Sequence, residues 1–160
     1  MATSAEAIKR AFAAKRRRPG HAQGLYRSHE LHRELHVLDE QRFEMTRVLV
    51  EELDMSPMVV APYNNSHHLI QGLSPQTLYK VTKDGQLMVG SSADLSGGGQ
   101  KFRVEDIEDE VKEAPDLIVD YGLQRYHVYG RASLITDFGQ MEVLRMGSCY
   151  ELFRERMREF

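Results

Sequence analysis

Residues 28–53 read SHELHRELHVLDEQRFEMTRVLVEEL, and the spacing of their apolar side chains decides the fold class. On a wheel of 3.6 residues per turn, Leu31, Leu35, Leu38, Met45, Val48, Leu49 and Leu53 fall on one side. Only Arg42 interrupts that stripe. The pattern predicts a long amphipathic helix from about Ser28 to Leu53, ending before Met55-Ser56-Pro57, with its leucine face packed on the rest of the chain. The same spacing suits a coiled-coil seam, but it spans fewer than three heptads and has an arginine at one seam position, so core packing is favoured.

Upstream, residues 3–18 form a first helix in this reading. Thr3 and Glu6 fit a capping box, Ala7, Ile8, Ala11, Phe12 and Ala14 make a weak apolar stripe, and Pro19-Gly20 stops it. Downstream of Met58 the hydrophobic period shortens to that of strands. The runs MVVA (58–61), LYKVT (78–82), QLMVG (86–90), KFRV (101–104), LIVDY (117–121), QRYHVY (124–129) and ASLITDF (132–138) are separated by turn signals such as Lys83-Asp84-Gly85 and Gly130-Arg131. The chain closes with GSCYELFRERMREF, in which Ser148 and Glu151 suggest a second capping box. Cys149, Leu152, Phe153, Met157 and Phe160 line one face of the helix that would follow.

The predicted fold class is therefore α+β: a long amphipathic N-terminal helix, a mostly antiparallel sheet of short strands, and a C-terminal amphipathic helix. Residues 1–20 read as a basic N-terminal arm or helix and residues 21–160 as a single α+β domain. The length of 160 residues suffices for one buried core. Hydrophobic residues at 41% and charged residues at 28% exclude a disordered chain. No apolar run approaches the roughly 20 residues of a membrane span, and the N-terminal stretch lacks the apolar core of a cleavable signal. A cytoplasmic or virion location follows as the expectation. The one cysteine, Cys149, excludes an intrachain disulfide and a cysteine-based zinc site.

Net charge is −3, but its distribution is uneven. Lys9, Arg10, Lys15, Arg16, Arg17 and Arg18 face only Glu6 within the first eighteen residues. By contrast, residues 105–120 hold eight acids against Lys112. Such opposed segments can contact each other, neighbouring copies or other partners.

The histidines invite a metal reading. His32 and His36 are four apart on one helical face, a spacing at which two imidazoles can converge on one ion at about 2 Å from each nitrogen. His67 and His68 are the obvious further donors. The fragment is not HExxH, because His29-Glu30-Leu31-His32 is one residue short. The competing reading leaves the histidines on the face opposite the leucines, turned to water or to a partner. Phe43 and Val50, one heptad apart on that face, would then mark a second contact surface.

Other signals fail on inspection. GSSADLSGGGQK (90–101) lacks the GxxxxGK[ST] pattern and reads as a turn between strands. Asp137-Phe138-Gly139 has no kinase context and reads as a turn after a strand. Tyr121, Tyr126 and Tyr129 suit sheet packing better than base stacking, and no nucleophile or cofactor motif is complete.

The expectation from sequence is a non-enzymatic structural or interaction subunit of a larger, oligomeric assembly, such as a component of a virion or phage particle. Its interface candidates are Phe43, Val50, Arg16, Arg17 and Arg18, and its partners are other protein subunits, self or hetero, with no membrane and no cofactor. One alternative is a His/carboxylate metal-binding protein or hydrolase using His32, His36, His67 and His68. The other is a nucleic-acid-binding regulator using the basic arm.

Overall fold

The computed structural model describes residues 5–17, 24–26, 28–68, 70 and 88–160. The chain divides into two compact units. Met1–Arg27 and Gly72–Arg125 form the first, and Ser28–Gln71 and Tyr126–Phe160 form the second. Each mixes helices with a small sheet, so the α+β class holds.

Unit 1 contains helix α1 (Ala5–Ala14), strands β1 (Gly24–Tyr26) and β3 (Met88–Gly90), and the short helix α4 (Asp109–Lys112). β1 and β3 pair antiparallel with Leu25 opposite Val89. Ile8 of α1 and Val89 are the buried centre, with Ala7, Phe12 and Leu25 packed around them. Gly90 lies across from Gly24, and a Cβ on Gly90 would stand 2.2 Å from the Tyr26 ring. α1 ends at Ala14, not at residue 18. Arg16 adopts a left-handed backbone (φ 50°), and Arg17 N donates to Phe12 O at 3.0 Å. That terminus resembles the caps usually built around glycine, and it turns the chain just as Lys15 leaves the helix.

Unit 2 contains α2 (His29–Leu35), α3 (Glu40–Arg47), strands β2 (Met58–Val60), β4 (Ile135–Asp137) and β5 (Glu142–Arg145), and helix α5 (Tyr150–Met157). β4 is central, parallel to β2 and antiparallel to β5. Met45, Leu49, Met55, Leu134, Phe138 and Phe153 form the core, with Leu38, Leu53, Val59 and Met157 packed against it. Most of the stripe read from the sequence is thus where it was expected.

The single long helix is not. It breaks at His36–Asp39 into α2 and α3, and α3 passes into a π-helical turn at Val48–Glu52. The cause is local competition for backbone partners. Val37 N donates to Pro62 O (2.9 Å) and Asn64 N to Leu35 O (2.8 Å), while Asp39 accepts from Arg42 N (2.8 Å) as a new N-cap. The predicted cap at Ser148 is also absent. Its hydroxyl donates to Arg131 O at 2.7 Å, and Cys149 caps α5 in a left-handed conformation. KFRV, LIVDY and QRYHVY form no strand, whereas β5 was not anticipated. LYKVT and the Lys83-Asp84-Gly85 turn lie outside the described residues.

Candidate functional site

The site with the clearest chemical character lies in unit 1, where α1 ends. Lys15 is 4% exposed, an unusual position for an ammonium group. Its Nζ donates to Ser91 Oγ (2.7 Å), to Ser92 Oγ (3.2 Å) and to the Ser92 carbonyl. Asp94 Oδ1 stands 3.8 Å away, beyond hydrogen-bond reach, on a side chain that is 13% exposed. The loop bends back onto the helix end, with Ser96 N donating to Lys15 O at 3.1 Å. Gly97 and Gly99 take positive φ (85° and 83°), a conformation that favours glycine, and so let the loop close.

Several charges at this site are only partly satisfied. Arg17 Nε, Asp94 Oδ1 and Glu108 Oε2 are buried with no hydrogen-bond partner among the described residues. The charges of Arg17, Asp94 and Glu108 all act on Lys15. Burial pushes the Lys15 amine below its ordinary pKa of 10.5, and the Asp94 carboxylate offsets part of that shift. The other oxygen of Glu108 is held by Lys101 (2.9 Å), which keeps that carboxyl below the usual range. Asp94 pairs with Lys15 and Glu108 with Lys101, so what remains at the site is one donor atom and two acceptor atoms without hydrogen bonds. The Lys15 ammonium places its three N–H donors on Ser91 and Ser92.

Sequence reasoning missed this site. The SSADLSGGG loop was tested only against a phosphate-loop pattern and set aside as a turn. Lys15 was counted as one charge of the basic N-terminal arm.

The residues singled out from sequence are placed as follows. Arg16 is exposed and bonds Glu110, its Nε 3.1 Å from Oε2, while Arg10 pairs with Asp116 at 2.7 Å. The basic and acidic segments therefore meet within unit 1. Arg17 is half-buried at the Lys15 site, and Arg18 lies outside the described residues. In unit 2, Val50 is exposed, but Phe43 is buried, with the His32 ring on its edge and the Arg33 guanidinium over its face. His32 and His36 are buried rather than wet, at 5% exposure each. The His67 and His68 rings lie tilted against each other, 4.5 Å between centroids, with His67 near Glu34. Among the described residues, no group of three or more His, Cys, Asp or Glu side chains is placed to hold a metal ion. A cleft of about 370 Å³ between Glu52, Leu53, Leu152, Glu155, Arg156 and Glu159 is lined by charges that already pair, Arg156 with Glu52 and with Glu159. No described helix is long and apolar enough to cross a membrane.

No protein-family profile and no curated protein matches the chain. Solved structures of Sua5 from P. abyssi do share its fold. A doubly substituted variant aligns with a TM-score of 0.60 and 19% identity over 91% of this chain and 45% of its own. The crystal structure of Sua5 complexed with L-threonine aligns with a TM-score of 0.57 and 21% identity over 91% and 46%. The chain spans less than half the length of either. This likeness overturns the expectation of a non-enzymatic structural subunit of an oligomeric, virion-type assembly, because the fold is that of a protein solved with a small-molecule ligand.

Proposed function

We propose that this chain is a Sua5-like small-molecule-binding domain whose Lys15 site takes a zwitterionic α-amino acid, with L-threonine the first candidate. The observation that supports the reading is the set of buried polar atoms without hydrogen bonds whose side chains act on Lys15: the Arg17 Nε donor and one carboxylate oxygen each of Asp94 and Glu108. An amino acid supplies the missing partners in one molecule. Its carboxylate suits the Arg17 donor, and its ammonium suits the free oxygens of Asp94 and Glu108. A side-chain hydroxyl would find hydroxyl partners in Ser91 and Ser92. The complex of the fold neighbour with L-threonine supports the choice of ligand.

Titration calorimetry on the full chain tests this. L-Threonine is expected to bind with Kd of about 1 mM or tighter, equivalent to about −4 kcal/mol. Asp94→Asn is expected to weaken binding at least about tenfold, since one charge-assisted contact is lost. Absence of saturable binding by a folded protein at tens of millimolar would overturn the reading.

A further inference from the structure

The polar atoms left open at the Lys15 site are out of reach of solvent. Arg17 Nε, Asp94 Oδ1 and Glu108 Oε2 are all buried, and Lys15 is 4% exposed. A ligand that pairs with those atoms enters only when the chain over them moves. Within unit 1, the segment bonded over Lys15 is 91–101, which leaves β3 at Gly90 and runs toward the 3-10 turn at Val104–Asp106.

One side of this segment lies in water, with Ser92, Ala93 and residues 96–99 exposed. The other side is pinned at two places. At the first, the Lys15 ammonium donates to Ser91 Oγ, Ser92 Oγ and the Ser92 carbonyl, and Ser96 N donates to Lys15 O at 3.1 Å. At the second, Lys101 pairs with Glu108 at 2.9 Å. Between them Gly98 N donates to Leu95 O at 2.8 Å. None of these residues belongs to the apolar centre around Ile8 and Val89, so the segment is held by polar contacts.

The bend between the pins depends on backbone conformation alone. Gly97 and Gly99 take φ of 85° and 83°, and a Cβ at either would meet nothing within 4 Å. An alanine there crowds no neighbour, yet it disfavours the left-handed closed form about tenfold. Arg17 follows directly on the end of α1, whereas Asp94 rides on the segment, so closing brings an acceptor to the donor's side of the site.

We propose that residues 91–101 are a strap that closes over the Lys15 site and lifts to admit its ligand. Lys15 and the Lys101–Glu108 pair are its two clasps, and Gly97 and Gly99 form its bend. The strap rests on the reading of that site as a binding site. Ligand association then waits on opening, and is slower than an open cleft would allow.

Acetic anhydride labelling of the full chain, read by mass spectrometry, tests the strap without any ligand. With each rate divided by that in the urea-unfolded chain, Lys15 is expected to label at least about tenfold more slowly than Lys9, an exposed lysine of the same helix. Gly97→Ala is expected to speed Lys15 about fivefold or more and to leave Lys9 unchanged. Lys101→Met, which undoes the second clasp, is expected to act in the same direction. Gly122→Ala, at another left-handed glycine with open space around it, is the control and is expected to leave Lys15 unchanged. Lys15 labelling as fast as Lys9, a Lys15 rate that neither strap variant raises, or an equal rise in Gly122→Ala overturns the proposal. Stopped-flow association of L-threonine is expected to be about fivefold faster in Gly97→Ala than in the wild-type chain, and an unchanged rate overturns the gating role. A chain that shows the labelling pattern but binds no threonine keeps the strap and loses the amino-acid reading.

Discussion

Lys15→Met keeps most of the volume of the buried stem and removes the ammonium. The amine donates to Ser91 Oγ at 2.7 Å and to the Ser92 carbonyl, on a side chain only 5% exposed. Hydrogen bonds from a charged donor contribute about 1.5–3 kcal/mol each. Burial of the ammonium opposes them, since desolvation lowers the Lys15 pKa more than Asp94 raises it. We expect a net loss of about 2–4 kcal/mol, much of it from the Asp94 carboxylate left without its counter-charge. Adding Asp94→Asn to Lys15→Met is then expected to recover about 1–2 kcal/mol of that loss. Urea denaturation of the wild-type chain, both single variants and the double variant closes the cycle. If the two losses add within about 0.5 kcal/mol, Lys15 and Asp94 do not share one electrostatic site, and the reasoning is refuted.

The same burial sets an alkaline signature. A lysine whose folded pKa is depressed binds fewer protons folded than unfolded, so stability is expected to rise with pH up to about 10.5, and the rise should be smaller in Lys15→Met; equal slopes in paired denaturation series would rule it out. Gly147→Ala places a Cβ 2.1 Å from Leu134 N and is expected to cost about 1–3 kcal/mol, seen as a lower urea midpoint. Phe138→Ala, at a fully buried core position, is expected to cost about 3–5 kcal/mol, whereas Val50→Ala on the surface stays within about 0.5 kcal/mol. A Val50 variant less stable than the Phe138 variant would invert the assigned core.

The apolar stripe of residues 31–53 was legible because burial follows a period the sequence displays directly. Leu35, Met45, Val48 and Leu49 are buried where the wheel placed them. The break at His36–Asp39 was not, because it depends on the distant backbone of Pro62 and Asn64 taking the bonds a continuous helix would have used. The same distance in sequence hid the site. Lys15 and Ser91 are 76 residues apart, and nothing in either local pattern announces that they meet. A lysine in a basic arm reads as solvated until the loop that buries it is known. The histidines were misplaced for a related reason: the wheel put them opposite the leucines, yet once the helix breaks, Phe43 and Tyr63 cover them.

Chemical-shift mapping with L-threonine on ¹⁵N-labelled full chain tests the central claim most directly. The account predicts saturable shifts concentrated at residues 15–17 and 91–94, with unit 2 residues such as Leu49 and Phe138 unmoved. Shifts centred elsewhere, or none at tens of millimolar ligand, would contradict it.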